Sequence, residues 1–193
     1  ASPRAANYVL TYAGPVLSEV LAINRGAVTN ALGRTPDWVE LHNPNAAAFD
    51  LSGLRLGNSM NDPAPWVFPA GASVPANGYL VVWFDDNAPA STDLSSVLNT
   101  GRALEGQGGA VVLFNRAGQP VDVLEYGPQV RDVSLGRAGG AWRLLAQPTP
   151  GAANAGPAAL GSPAHLRLNE WMADPLDGND WFDAAKNLVW GKT

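Results

Sequence analysis

Short runs of apolar residues, each closed off by Gly, Pro or Asn, constrain this chain more than any other feature. Asp37-Trp38-Val39-Glu40-Leu41-His42 sets Val39 and Leu41 on one face of a strand and Trp38 and Glu40 on the other. Asn43-Pro44-Asn45 then turns the chain. Val16 to Asn24 alternates in the same way, and Leu51-Ser52-Gly53-Leu54-Arg55-Leu56 and Trp66-Val67-Phe68 read as further strands. Pro75-Ala76-Asn77-Gly78 leads into Tyr79-Leu80-Val81-Val82-Trp83-Phe84, which is apolar on both faces and is therefore expected in the middle of a sheet. Asp85 to Asn99 reads as a surface loop. Ala110–Asn115 and Val121–Tyr126 flank the hairpin turn Arg116-Ala117-Gly118-Gln119. Val133–Arg137 and Ala141–Leu145 add two short segments, and Tyr8–Tyr12 an extra strand near the start. No stretch sustains a helical period, so the expected fold class is all-β.

Composition agrees. Gly 21 and Pro 16 supply turns, and a hydrophobic content of 46% supplies a core. Charged residues are only 15%, below the roughly 25% of ordinary soluble domains. The net charge is −5 and the 12 basic residues are scattered, which argues against nucleic acid and against anionic membrane surfaces as partners. With no cysteine, disulfides, thiolate zinc sites and a cysteine nucleophile are excluded. No run approaches the roughly 18 apolar residues that span a bilayer. The opening Ala1-Ser2-Pro3-Arg4-Ala5-Ala6 fits either a terminus left by signal cleavage or an arbitrary boundary.

From Gln147 to Pro163 the chain is rich in Pro, Gly and Ala and reads as a linker. Beyond it the sequence begins again. Leu17-Ser18-Glu19-Val20-Leu21-Ala22 is echoed by Leu168-Asn169-Glu170-Trp171-Met172-Ala173, and Asp37-Trp38-Val39-Glu40 by Asp180-Trp181-Phe182-Asp183. The echo then stops. The expected organisation is an N-terminal extension (1–15), a sandwich (16–154), a linker (155–165) and a partial second repeat or docking tail (166–193).

Five blocks occur in a telling order: Leu17-Ser18-Glu19-Val20, Asp37 to Pro44, Asp50-Leu51-Ser52-Gly53-Leu54, Pro75 to Val81, and Pro148-Thr149-Pro150-Gly151-Ala152-Ala153-Asn154. Ser134-Leu135-Gly136-Arg137 and Trp142 add a sixth. Together they resemble the bacterial branch of the lamin-tail domain family over Val16 to Asn154. The resemblance implies an immunoglobulin-like β-sandwich with extended terminal segments. It also implies an exported module of the kind strung together in tandem, sometimes beside hydrolases or surface-anchoring parts. Animal members form the tail of nuclear lamins, where they bind proteins and chromatin; the chromatin role does not carry over to a chain without a basic patch.

Candidate chemistry is thin. His42 lies at a strand end and His165 in the linker, too few ligands for a zinc site. No serine has the setting of a triad, so no catalytic or cofactor-binding residue is expected. Glu19 and Glu40 are the carboxylate pair that neighbouring strands could bring together, the competing reading being acids that hydrogen-bond backbone or Arg groups at a sheet edge. Asp174, Asp177, Asn179, Asp180 and Asp183 are calcium candidates, with Asp85, Asp86, Asn87 and Asp93 as a lesser cluster. Asp174-Pro175-Leu176-Asp177-Gly178-Asn179 nevertheless breaks the acid spacing of an EF-hand loop. Trp38, Trp66, Trp83 and Trp142 read as core. Trp171, Trp181 and Trp190 sit in a half-domain with no core of its own, and with Leu168, Glu170 and Met172 they are the expected partner-binding residues. The expected role is a non-catalytic module, secreted, periplasmic or on the cell surface. It docks onto a protein partner or a neighbouring copy through its terminal segments. The alternative is an accessory polymer- or carbohydrate-binding domain of an exported hydrolase.

Overall fold

The computed structural model describes residues 12–159. These form eleven strands and, among the described residues, no helix: β1 (Val16–Leu21), β2 (Asp37–His42), β3 (Phe49–Asp50), β4 (Arg55–Gly57), β5 (Trp66–Val67), β6 (Ser73–Val74), β7 (Tyr79–Phe84), β8 (Gly109–Phe114), β9 (Pro120–Tyr126), β10 (Leu135–Ala138) and β11 (Ala141–Leu144). A five-stranded sheet runs β11-β10-β1-β2-β7, and a four-stranded sheet runs β5-β4-β8-β9. All pairings within them are antiparallel. A small β3-β6 ribbon stands beside them. The all-β sandwich is as expected.

The core lies between the two sheets, as strand alternation requires. Val39 and Leu41 of β2 and Val82 and Phe84 of β7 meet Leu56, Val111, Leu113 and Leu124 of the opposite sheet, all of them buried. In β1 the alternation breaks at a bulge between Leu17 and Glu19. The extra residue lets Leu17 and Val20, three positions apart, both enter the core.

The outer face of the five-stranded sheet is also buried. At one end Leu21, Trp38 and Trp83 form a second apolar cluster, covered by Val28 and Val97 from the loops that follow β1 and β7. This explains why β7 is apolar on both faces although it is not central. It is the last strand of its sheet, touched on its free side by an isolated parallel bridge from Asn99 to Trp83. The loops, not a neighbouring strand, hide its second face.

Three other expectations are corrected. The strand from Val16 stops at Leu21, where Asn24 instead ties down the next loop. Leu51–Leu56 is not one strand: Leu54 N–H donates to Leu51 C=O in a turn, and Gly53 takes a φ of 77° there. The described part of the tract from Gln147 is fixed to the sandwich rather than loose. Ala146 N–H donates to Gly156 C=O at 2.9 Å and Ala158 N–H to Leu144 C=O at 2.8 Å, so residues 156–158 run antiparallel to the end of β11. Of the expected extra strand over Tyr8–Tyr12 only Tyr12 is described; it packs edge-on to Phe49.

Candidate functional site

β1 and β2 are neighbours well inside the five-stranded sheet, and their register sets Glu19 directly opposite Glu40. The expected carboxylate pair is therefore brought together, and neither residue is exposed (both 0%). The chain following β11 crosses over them; residues 146–157 are termed the strap. Glu19 is well supplied with donors. Ser134 Oγ donates to its Oε1 at 2.5 Å, Thr149 Oγ1 to its Oε2 at 2.7 Å, and Thr149 N–H to its Oε1 at 3.1 Å. Glu40 receives Gly151 N–H on Oε2 at 2.6 Å. Its Oε1 is buried without a partner, as is Nε1 of Trp38 two residues earlier on the same face. Both acids thus hold backbone and hydroxyl groups of the strap, with no Arg among their hydrogen-bond partners and away from any sheet edge.

Burial pushes the Glu40 carboxyl up to about 8; the Gly151 amide opposes this, and the neighbouring Glu19 charge adds to it. Burial also raises Glu19, against the donors from Ser134 and Thr149. Asn154 completes the cluster. Its Nδ2 donates to Ser18 C=O at 2.9 Å and Arg137 C=O at 3.0 Å, while Ser18 Oγ donates to its Oδ1 at 3.4 Å. Gly136 lies beneath: a Cβ there would come 2.5 Å from Leu145 Cδ1 and 2.8 Å from Asn154 Nδ2. Beside the cluster opens a cavity of about 450 Å³ whose lining includes Val16, Ser18, His42, Arg137, Asn154 and Pro157.

Four sequence blocks far apart in the chain therefore converge on one buried spot. They are the block of Glu19, the block of Glu40, Ser134 to Arg137, and Pro148 to Asn154. The residues alone point to the two glutamates but not to Ser134, Thr149 and Gly151 as their partners, nor to Ser18 and Asn154 beside them. The signal was present, since all but Gly151 carry a polar side chain within those blocks, whereas Gly151 contributes only its amide.

The other candidates part ways. His42 stacks on Tyr79 with centroids 4.5 Å apart, consistent with its reading as a strand-end residue. Asp85 is committed to Arg34 at 3.1 Å and to Asn87 N–H at 2.9 Å, and Asp93 accepts from the Thr92 hydroxyl. Among the described residues no three His, Cys, Asp or Glu side chains come together to hold a metal. A cleft at the far end of the sandwich contains Asp37, whose carboxyl burial raises to about 6. Trp38, Trp66 and Trp83 are buried, and Trp142 is half-buried under the Arg137 guanidinium, 4.9 Å from the ring centroid. The calcium candidates Asp174, Asp177, Asn179, Asp180 and Asp183, the partner-binding candidates Leu168, Glu170, Trp171, Met172, Trp181 and Trp190, and His165 lie outside the described residues.

Among the described residues no helix is long and apolar enough to cross a membrane. A search of curated proteins gave no match. A model of the lamin tail domain matches residues 12–128, which takes in both glutamates and nine strands but stops before Ser134 and the strap. That match covers more than half of the 193 residues, and the chain belongs to the lamin tail domain family, whose members are immunoglobulin-like modules of the protein-interaction type.

Proposed function

We propose that this chain is a non-catalytic, exported structural or protein-interaction module of the bacterial branch of its family. It docks onto a protein partner or a neighbouring copy through its terminal segments. The observation that carries this reading is how the site spends its polar groups. Glu19, Ser134, Thr149 and Asn154 are all taken up in fastening the strap, which leaves the most unusual chemistry of the described residues serving the fold. A rigid body with internally consumed polar groups suits a scaffold. In this reading the part of the 155–165 linker beyond the paired residues 156–158 leads to the partial second repeat at 166–193, where Leu168 to Met172 pairs with a sheet edge of the partner.

The reading is tested by deleting Ala164 to Thr193 and measuring assembly by light scattering, with circular dichroism as a check on the sandwich. Loss of assembly with the fold intact supports it; unchanged assembly rejects it. Polymer binding on an aromatic platform has less support, because the described tryptophans are buried or capped by Arg137. A change in tryptophan fluorescence on titration with polysaccharides would restore that alternative.

A further inference from the structure

Two carboxyl groups set opposite each other in antiparallel register, both fully buried, cannot both be ionised without a cation to offset them. The strap offers no cation, since residues 145–159 contain no ionisable side chain. Arg137 on β10 is committed to Asp122 and to Leu17 C=O. Arg143 on β11 is exposed. The remaining titratable groups on these strands are Asp37 at the start of β2, in the cleft at the other end of the strand, and His42 of β2 and Tyr79 of β7, which stack on each other.

We propose that Glu19 and Glu40 hold one proton between them, that it resides on Glu40, and that it is the latch keeping the 146–157 strap closed over the sheet. The donors decide which acid carries it. Glu19 receives two hydroxyls and an amide, the surroundings of a carboxylate. Glu40 receives one amide on Oε2, and nothing donates to Oε1, so Oε1 is the oxygen that takes the proton. The Ser18 hydroxyl lies beside the Glu40 carboxyl and, as a donor to it, opposes the upward shift; a proton on Oε1 turns that contact round, the serine oxygen accepting while its own hydrogen goes to Asn154 Oδ1 at 3.4 Å. A neutral Glu40 hydrogen-bonded in this way and an ionised Glu19 complete the network.

Raising the pH removes the proton from Glu40 to hydroxide as water; no other bond is broken. Two adjacent carboxylates are then left in a dry site, and the least costly relief is to admit water by lifting what covers them. The strap is the weakest cover. Between Gln147 and Pro157 it carries only Pro, Thr, Gly, Ala and Asn besides the glutamine, so little apolar burial holds it down. Its amides at Thr149 and Gly151 hang on the two carboxyls themselves. Because residues 156–158 pair with the end of β11, opening the strap also frees the sheet edge there.

The experiment uses the full chain, whose lack of cysteine allows selective labelling. Nitroxides are placed at the exposed positions A153C on the strap and S96C on the body, and their separation is measured by pulsed electron resonance from about pH 6 to about pH 10, spanning the titration of a raised carboxyl. The expected result is one narrow distance distribution at neutral pH that broadens and lengthens at alkaline pH, while near-ultraviolet dichroism stays unchanged. E40Q, which keeps a neutral group of the same shape, should stay narrow throughout. A distribution that never changes, a variant that opens like the parent, or a sandwich that melts together with the strap would each overturn the proposal. Should E40Q not fold, carbon-detected titration of the glutamate carboxyls in the parent chain decides instead. One carboxyl still protonated at neutral pH is required; all ionised refutes the latch.

Discussion

Arg137 on β10 grips both carboxylate oxygens of Asp122 on β9, at 2.8 and 2.9 Å, and so ties the two sheets of the sandwich together at one margin. The pair does more than bridge. Asp122 Oδ2 accepts Leu17 N–H at 2.8 Å and Arg137 Nε donates to Leu17 C=O at 2.7 Å, so the backbone beside the β1 bulge is satisfied by side chains in place of a strand. Lysine cannot reproduce a planar fork that serves two oxygens and a carbonyl. R137K is expected to cost about 2 kcal/mol, the scale of a lost charge-assisted hydrogen bond with its acceptor left behind, read as a lower urea midpoint.

Gly136 is the floor on which the strap rests. The Cβ of G136A would meet Leu145, itself buried, and the amide of Asn154. Overpacking of this kind costs about 1–3 kcal/mol. The melting temperature should fall, and the strap should become a preferred site of proteolysis. A variant as stable and as resistant as the parent would mean that the strap can shift at no cost.

Stability should decline as pH rises from about 4.5 to about 8. Glu40 has a pKa of about 8 in the folded chain against 4.5 as its ordinary value, so over that interval the folded state binds the extra proton. Its stabilising contribution is complete below the lower value and is lost as pH climbs through the upper one, at a slope of at most about 1.4 kcal/mol per pH unit. Asp37, raised from 3.8 to about 6, acts in the same sense at lower pH. Urea midpoints across the range check the sign, and E40Q should flatten the upper part of the slope.

Asn43 is fully buried and donates to the carbonyls of Ala47, Val74 and Pro75, while its Oδ1 accepts Asn45 N–H. Asn99 does the same work in the loop after β7, donating to Asp85, Ala88 and Pro89 and accepting Asp85 N–H. Removing either amide strands several carbonyls away from water. N43A and N99A are each expected to cost about 2–4 kcal/mol in equilibrium unfolding, since unpaired buried groups cost about 1–3 kcal/mol apiece. N43D should be nearly as harmful, because a carboxylate cannot donate.

Strand alternation made much of this fold readable. Val39 against Trp38, and Leu41 against Glu40, are assigned to the correct faces by period two alone. The misplacement of β7 has a plain cause: two apolar faces report burial, and burial by loops looks in sequence like burial by neighbouring strands. The bulge in β1 hides because it changes which residues share a face without altering their composition. The strap was misread for a related reason. Pro, Gly and Ala bury little, but backbone amides from such a tract can still be fixed by acids more than a hundred residues away. The glutamate pair was visible as two acids on adjacent strands, whereas their hydroxyl and amide partners depend on a crossing that no local pattern encodes.

The convergence of four sequence blocks on one buried spot has a consequence for kinship. What the four blocks build together is an internal fastening, of which the family match takes in the two glutamate blocks. Two proteins can therefore share every one of those blocks and yet present unrelated faces to the world. Likeness in this signature speaks of how the body is closed and leaves the rest of the surface free to differ.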